Sequence, residues 1–87
     1  MEKYKIRFKK SAIKDFKTLP KSDVIKILSK IDSLAEDPRR AGAKKLRGHN
    51  LYRIRQGLYR IVYEIRDNEL VVQVIKVGHR SDVYKRT

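Results

Sequence analysis

Six residues in the C-terminal half of the chain have the types and spacing to act on a phosphate: Arg53, Arg55, Arg60, His79, Arg80 and Tyr84. A strand sends alternate side chains to opposite faces, so Arg53 and Arg55 share one face with Leu51 while Tyr52 and Ile54 take the other. Arg60 lies just across a tight turn at Gly57 and joins them. Like charges this close repel by roughly 1 kcal/mol per screened pair, so the cluster adds no stability of its own. Either Glu64, Asp67 or Glu69 neutralises it, or it meets an anion, and the polyanion that suits planar guanidinium groups is nucleic acid. Gly78 is expected to turn the chain sharply and set His79 and Arg80 at the rim of the sheet. An imidazole, with an ordinary pKa near 6.5, is among the few groups here able to exchange a proton at neutral pH. The ring of Tyr84 has the shape to stack on a base while its hydroxyl reaches a phosphate or ribose.

These residues need a sheet to hold them. Leu51 to Arg55, Leu58 to Ile65 and Leu70 to Val77 read as three strands of a meander, with turns at Gln56-Gly57 and Asp67-Asn68. In the last of them only Gln73 and Lys76 break an apolar run, the pattern of a strand covered on both faces. Ahead of the meander, Lys3 to Phe8 alternates as a short strand with Tyr4, Ile6 and Phe8 inward. A short helix follows, with Ser11 as its expected N-cap. Leu19-Pro20 interrupts it, and Pro20 or Ser22 opens a second helix whose stripe of Val24, Ile27, Leu28, Ile31, Leu34 and Ala35 recurs at steps of three and four. Asp37-Pro38 ends that helix. Arg39 to Gly48 has no apolar period and reads as a basic surface connection, in which Lys44, Lys45 and Arg47 are candidate nucleic-acid contacts together with Lys76. Ser81-Asp82 can cap a last helical turn through Tyr84. The expected class is therefore α+β in the order β-α-α-β-β-β, an antiparallel meander with both N-terminal helices on one face and the cations on the other.

Composition agrees with an anionic partner. Twenty-three Lys and Arg against ten Asp and Glu give a formal charge of +13 in 87 residues, which reads as one domain over 1–87. No run approaches the ~20 apolar residues that span a bilayer, and the N-terminus lacks the apolar stretch of a signal peptide, so no membrane role and a cytoplasmic location are expected. The chain has no cysteine and two isolated histidines, His49 and His79, which implies neither disulfide, metal nor other cofactor.

The run LYRIRQGLYRIVYEI from Leu51 to Ile65, followed by VIKVGHRSDVY from Val74 to Tyr84, resembles the RelE branch of the RelE/ParE toxin superfamily of toxin-antitoxin systems. The likeness extends over essentially the whole chain, including FKKSAIKDF from Phe8 to Phe16. It implies a microbial-RNase-like fold, an endoribonuclease that enters the ribosomal A site against 16S rRNA and cuts mRNA there, and a cognate acidic antitoxin as partner. By position it assigns phosphate-binding and catalytic roles to Arg53, Arg55, Arg60, Arg80 and Tyr84, with His79 beside them. Known members carry lysines where this chain has Arg53 and Arg55; arginine stays protonated, so here those two supply charge and not a base. A ParE-like gyrase poison on the same fold, or a non-catalytic RNA- or ribosome-binding module, are the alternative readings.

Overall fold

The structure is a computed structural model that describes residues 3–46 and 50–79. Its elements are β1 (Lys5–Phe8), α1 (Lys10–Lys17), α2 (Lys21–Leu34), β2 (Lys44–Lys45), β3 (Leu51–Gln56), β4 (Tyr59–Arg66) and β5 (Val71–His79). They form a five-stranded sheet in the order β1-β5-β4-β3-β2. The meander β3-β4-β5 is antiparallel as its turns require, whereas β1 joins β5 in parallel, with Lys5 opposite Val71 and Phe8 opposite Val74. The expected order gains one element. Lys44–Lys45, inside the stretch read as a connection, pairs as a two-residue edge strand with Arg53 and Tyr52. A strand this short carries no apolar alternation, so only the pairing reveals it. The helical turn expected at 81–84 lies outside the described residues, as do Arg47, His49, Arg80 and Tyr84.

Both helices cover one face of the sheet. Ile27, Ile31 and Leu34 of α2 and Ala12 of α1 are fully buried with Ile54, Ile61, Tyr63, Ile65, Val72, Val74 and Val77, which makes a single apolar layer between helices and strands. Each such aliphatic side chain contributes about 1.5–3 kcal/mol on leaving water. Leu28, placed on the stripe by its spacing, is more than a third exposed, and Ile25, off the stripe, is open to solvent. Pro20 stands at the start of α2 as its N-cap in an extended conformation, with Asp23 in the first turn where a negative charge favours the helix dipole. The N-cap of α1 is Lys9, not Ser11, and no side chain caps it.

The hairpin between β3 and β4 closes at Gln56 opposite Tyr59, leaving Gly57 and Leu58 as a two-residue loop. Gly57 has φ +60°, the conformation that the first position of a type II′ turn requires and that glycine adopts without strain. The turn after β4 holds Leu70 at φ +54°, an unusual state for a branched side chain.

Strand β5 does not alternate regularly. Ile65 faces Val72 and Tyr63 faces Val74, but Val62 faces Lys76 and Ile61 faces Val77, so Ile75 is left over as a β-bulge. Gln73 and Lys76, three apart in sequence, consequently share the face opposite the helices. Gly78 lies within the extended strand opposite Arg60 and makes no turn, contrary to the expectation from its residue type.

Candidate active site

Two cross-strand rows build the cationic face. Arg55 pairs with Arg60, which pairs with Gly78; Arg53 pairs with Val62, which pairs with Lys76. A two-residue turn makes Gln56 and Tyr59 the hydrogen-bonded closing pair, so Arg55 and Arg60 form the next, non-hydrogen-bonded pair, where side chains approach most closely at about 4.5 Å between Cα atoms. Lys44 extends the second row from the edge, opposite Arg53. Lys45 pairs with Tyr52 and so belongs to the other face. Arg53 and Arg60 are buried at 9% and 2% exposure, and Arg55 is exposed. Burial and the neighbouring charge of Arg55 both pull the Arg53 pKa down from the usual guanidinium value.

The three carboxylates named as neutralising candidates, Asp67, Glu64 and Glu69, each have a partner in another cation. Asp67 accepts two hydrogen bonds from Arg39, at 3.1 and 2.8 Å, and one from the Tyr4 hydroxyl at 2.7 Å. These bonds, Arg39's first, hold its pKa down at about 2. Glu64 takes Arg66 at 2.8 Å, and Glu69 lies 3.7 Å from the same guanidinium. Among the described residues no carboxylate comes within ion-pair distance of Arg53 or Arg55.

His79 is placed apart from the arginines. It pairs with Tyr59, and the two rings meet edge to face with centroids 6.2 Å apart. Tyr59 donates its hydroxyl hydrogen to Asp23 of α2 at 2.7 Å, which fixes this side as the helix side of the sheet. His79 lines a groove of about 650 Å³ there with Ser11, Asp15, Tyr59 and Gly78. The bulge in β5 is the cause: regular pairing would set His79 opposite Leu58 on the face of Arg60, and the shift by one sets it opposite Tyr59 instead.

Two features escaped sequence reading. One is the brace around Arg39, which besides Asp67 donates to the Tyr52 hydroxyl at 3.1 Å and lies 5.4 Å from the centre of that ring. The stacked pair of Tyr52 and Tyr63 continues it inward, where the buried Tyr63 hydroxyl donates to the Pro38 carbonyl at 2.6 Å. Nothing in the spacing of these residues announces the contact. The other is the bulge, whose signal was present: two polar residues three apart in an otherwise apolar strand.

Comparison with known proteins gives one consistent answer. A family model described as the ParE toxin of the type II toxin-antitoxin system parDE matches residues 6–84. Toxin RelG of Mycobacterium tuberculosis is 33% identical over 86 residues, covering 95% of this chain and 98% of that protein. The mRNA interferase toxin RelE of Escherichia coli K12 is 37% identical over 86 residues, covering 93% and 90%. Among solved structures, the toxin in the RelBE2 toxin-antitoxin complex of M. tuberculosis superposes with a TM-score of 0.77 at 30% identity, over 94% of this chain and 97% of that one. The archaeal RelE-RelB complex of Pyrococcus horikoshii gives 0.79 at 28% identity, over 90% and 96%. With the fold, the strand order and these relatives in agreement, the chain belongs to the RelE/ParE superfamily of type II toxin-antitoxin toxins, on its RelE side.

Proposed function

We propose that this protein is a ribosome-dependent endoribonuclease that cuts mRNA in the A site and is silenced by a RelB-type antitoxin. The observation that supports it most is the cross-strand Arg55–Arg60 pair beside the buried Arg53 on one face of the sheet. Such a face is organised for a phosphate before the phosphate arrives.

Cleavage proceeds by attack of a ribose 2′-oxygen on the adjacent phosphorus, in line with the departing 5′-oxygen. The 2′-hydroxyl loses its proton, the P–O5′ bond breaks, and the products are a 2′,3′-cyclic phosphate and a 5′-hydroxyl. The five-coordinate transition state carries more negative charge than the substrate, so fixed cations stabilise it selectively. Arg53, Arg55 and Arg60 supply that charge; one well-placed donor is worth about 3–4 kcal/mol. Arg80 and Tyr84, which follow β5 directly in sequence, serve the leaving group and the orientation of the nucleotide. His79, with its ring against Tyr59, is given no part in the proposed proton transfer. Lys44 and Lys76 extend the face along the RNA and toward 16S rRNA, and Lys45 and Arg47 belong to the same basic segment.

Mapping mRNA 5′ ends after induction in growing cells tests the reading. Cuts in register with translated codons, lost in Arg60→Ala and Arg80→Ala while antitoxin binding persists, are expected. Double-strand DNA breaks without such cuts would identify a gyrase poison instead, and neither lesion would leave a binding module.

A further inference from the structure

Beyond Phe8 the outer edge of β5 has no strand beside it among the described residues, and Lys9 and α1 take up its backbone groups around the bulge one by one. The Lys9 amide donates to the Val74 carbonyl at 2.9 Å. Next, the Ser11 hydroxyl donates to the Ile75 carbonyl at 2.6 Å. One turn further along α1, Asp15 Oδ2 accepts the Val77 amide at 3.0 Å, while its other oxygen lies 3.7 Å from Lys76 Nζ. A single carboxylate thus holds the backbone of one β5 residue and the side chain of the residue before it. Bulges re-aim side chains, and a bulge held on its open side by a helix is held in one place.

We propose that Ser11 and Asp15 are positioning residues for the RNA-facing end of β5. By clamping the bulged backbone they keep Lys76 in the row with Arg53 and keep Gly78, with no side chain, opposite Arg60. A regular continuation of the pairing from Tyr63 and Val74 would instead set Lys76 opposite Ile61 in the core and Val77 against Arg60. The apolar pattern therefore demands a bulge, and α1 decides how firmly the rim beyond it is held. Lys76 also has an anion to rest on: Asp15 occupies it until an RNA phosphate competes. The catalytic part of this assignment rests on the proposed RNA cleavage; the structural part does not.

The test compares Asp15→Asn, Asp15→Ala and Ser11→Ala by amide hydrogen exchange and by cleavage on mRNA-programmed ribosomes. Asp15→Asn keeps an oxygen for the Val77 amide and is expected to retain its protection and kcat within about threefold. In Asp15→Ala, exchange at Val77 and Gly78 should accelerate at least tenfold while Ile61 and Tyr63 stay protected, with kcat falling at least tenfold and KM changing less than threefold. Ser11→Ala should show the same pattern more weakly. Unchanged exchange at Val77 in Asp15→Ala overturns the clamp, and equal acceleration at Val77 and Tyr63 reduces Asp15 to a general stabilising role, which also overturns it. Faster rim exchange with wild-type kcat overturns the positioning of catalysis. If the wild-type protein cuts no RNA, the proposed function fails, and the exchange data still decide whether the clamp exists.

Discussion

Arg55 and Arg60 stand directly opposite one another across a hairpin that the two-residue loop at Gly57 and Leu58 prevents from slipping. Arg55 is exposed and Arg60 is buried, so in the proposed site Arg55 is the member of the pair open to RNA from solvent. Arg55→Ala should weaken binding to a short single-stranded RNA and reduce the slope of log K against log salt by about 0.7, the loss of one phosphate contact. Filter binding at four salt concentrations measures this. An unchanged slope would take Arg55 off the RNA path.

Gly57 tests how tightly that pair is held. An added Cβ meets no atom within 4 Å, so the cost of Gly57→Ala comes from the positive φ alone, about 1–2 kcal/mol. Urea denaturation should show the midpoint falling with an unaltered m-value. A smaller loss in Gly57→Asn, whose side chain tolerates the left-handed region, separates backbone strain from lost packing.

The buried end of the Tyr52–Tyr63 stack offers a cleaner removal of one hydrogen bond. Tyr63→Phe keeps the ring and leaves the Pro38 carbonyl without its donor, which costs about 1–3 kcal/mol. Scanning calorimetry should register a drop of several degrees. Toxicity should persist, since the hydroxyl lies on the helix side of the sheet, away from the arginines.

Acid stability should carry the mark of Asp67. Its folded pKa, about 2, lies below the ordinary value of 3.8, so ionised Asp67 favours the folded state above pH 3.8 and that contribution disappears as the pH falls through about 2. Both Asp67 and Arg39 are nearly half exposed, so solvent screening keeps the effect small. Asp67→Asn should flatten the decline of the urea midpoint between pH 4 and pH 2 and leave its value above pH 5 slightly lower. A decline as steep as wild type in that window would assign the acid limb to other carboxylates.

A part for His79 in the reaction is open to direct test. The pH–rate profile of His79→Ala should superimpose on that of wild type, because the imidazole faces Tyr59 and not the arginine rows. A profile that loses a limb would return His79 to the reaction.

Much of this was legible in the chain itself, for physical reasons that differ between elements. The meander was readable because period-two alternation and glycine-bearing turns are local signals, and Arg53, Arg55 and Arg60 came out on one face for the same reason. Leu28 shows the limit of periodicity: it keeps the spacing of the α2 stripe, yet it is more than a third exposed. Gly78 runs straight where a turn was expected, because residue type alone does not say whether a glycine turns, and the bulge before it sets His79 opposite Tyr59. Ser11 has the chemistry of an N-cap but spends its hydroxyl on the Ile75 carbonyl, a partner from the far end of the sequence. The parallel pairing of β1 with β5 and the edge strand β2 were invisible to any local reading.

That parallel pairing of β1 with β5 joins opposite ends of the chain, so the sheet has no complete centre until its last strand is in place. The intervening hairpins can form from neighbours, but the closure of β1 must overcome the entropy of the longest loop in the fold. Folding order is therefore built into the topology: the arginine hairpin can assemble early, while the clamp from α1 onto the rim of β5 waits for the chain to close. Assembly of the full cationic face is the late event, and a partially folded chain would carry the charge of a toxin without its geometry.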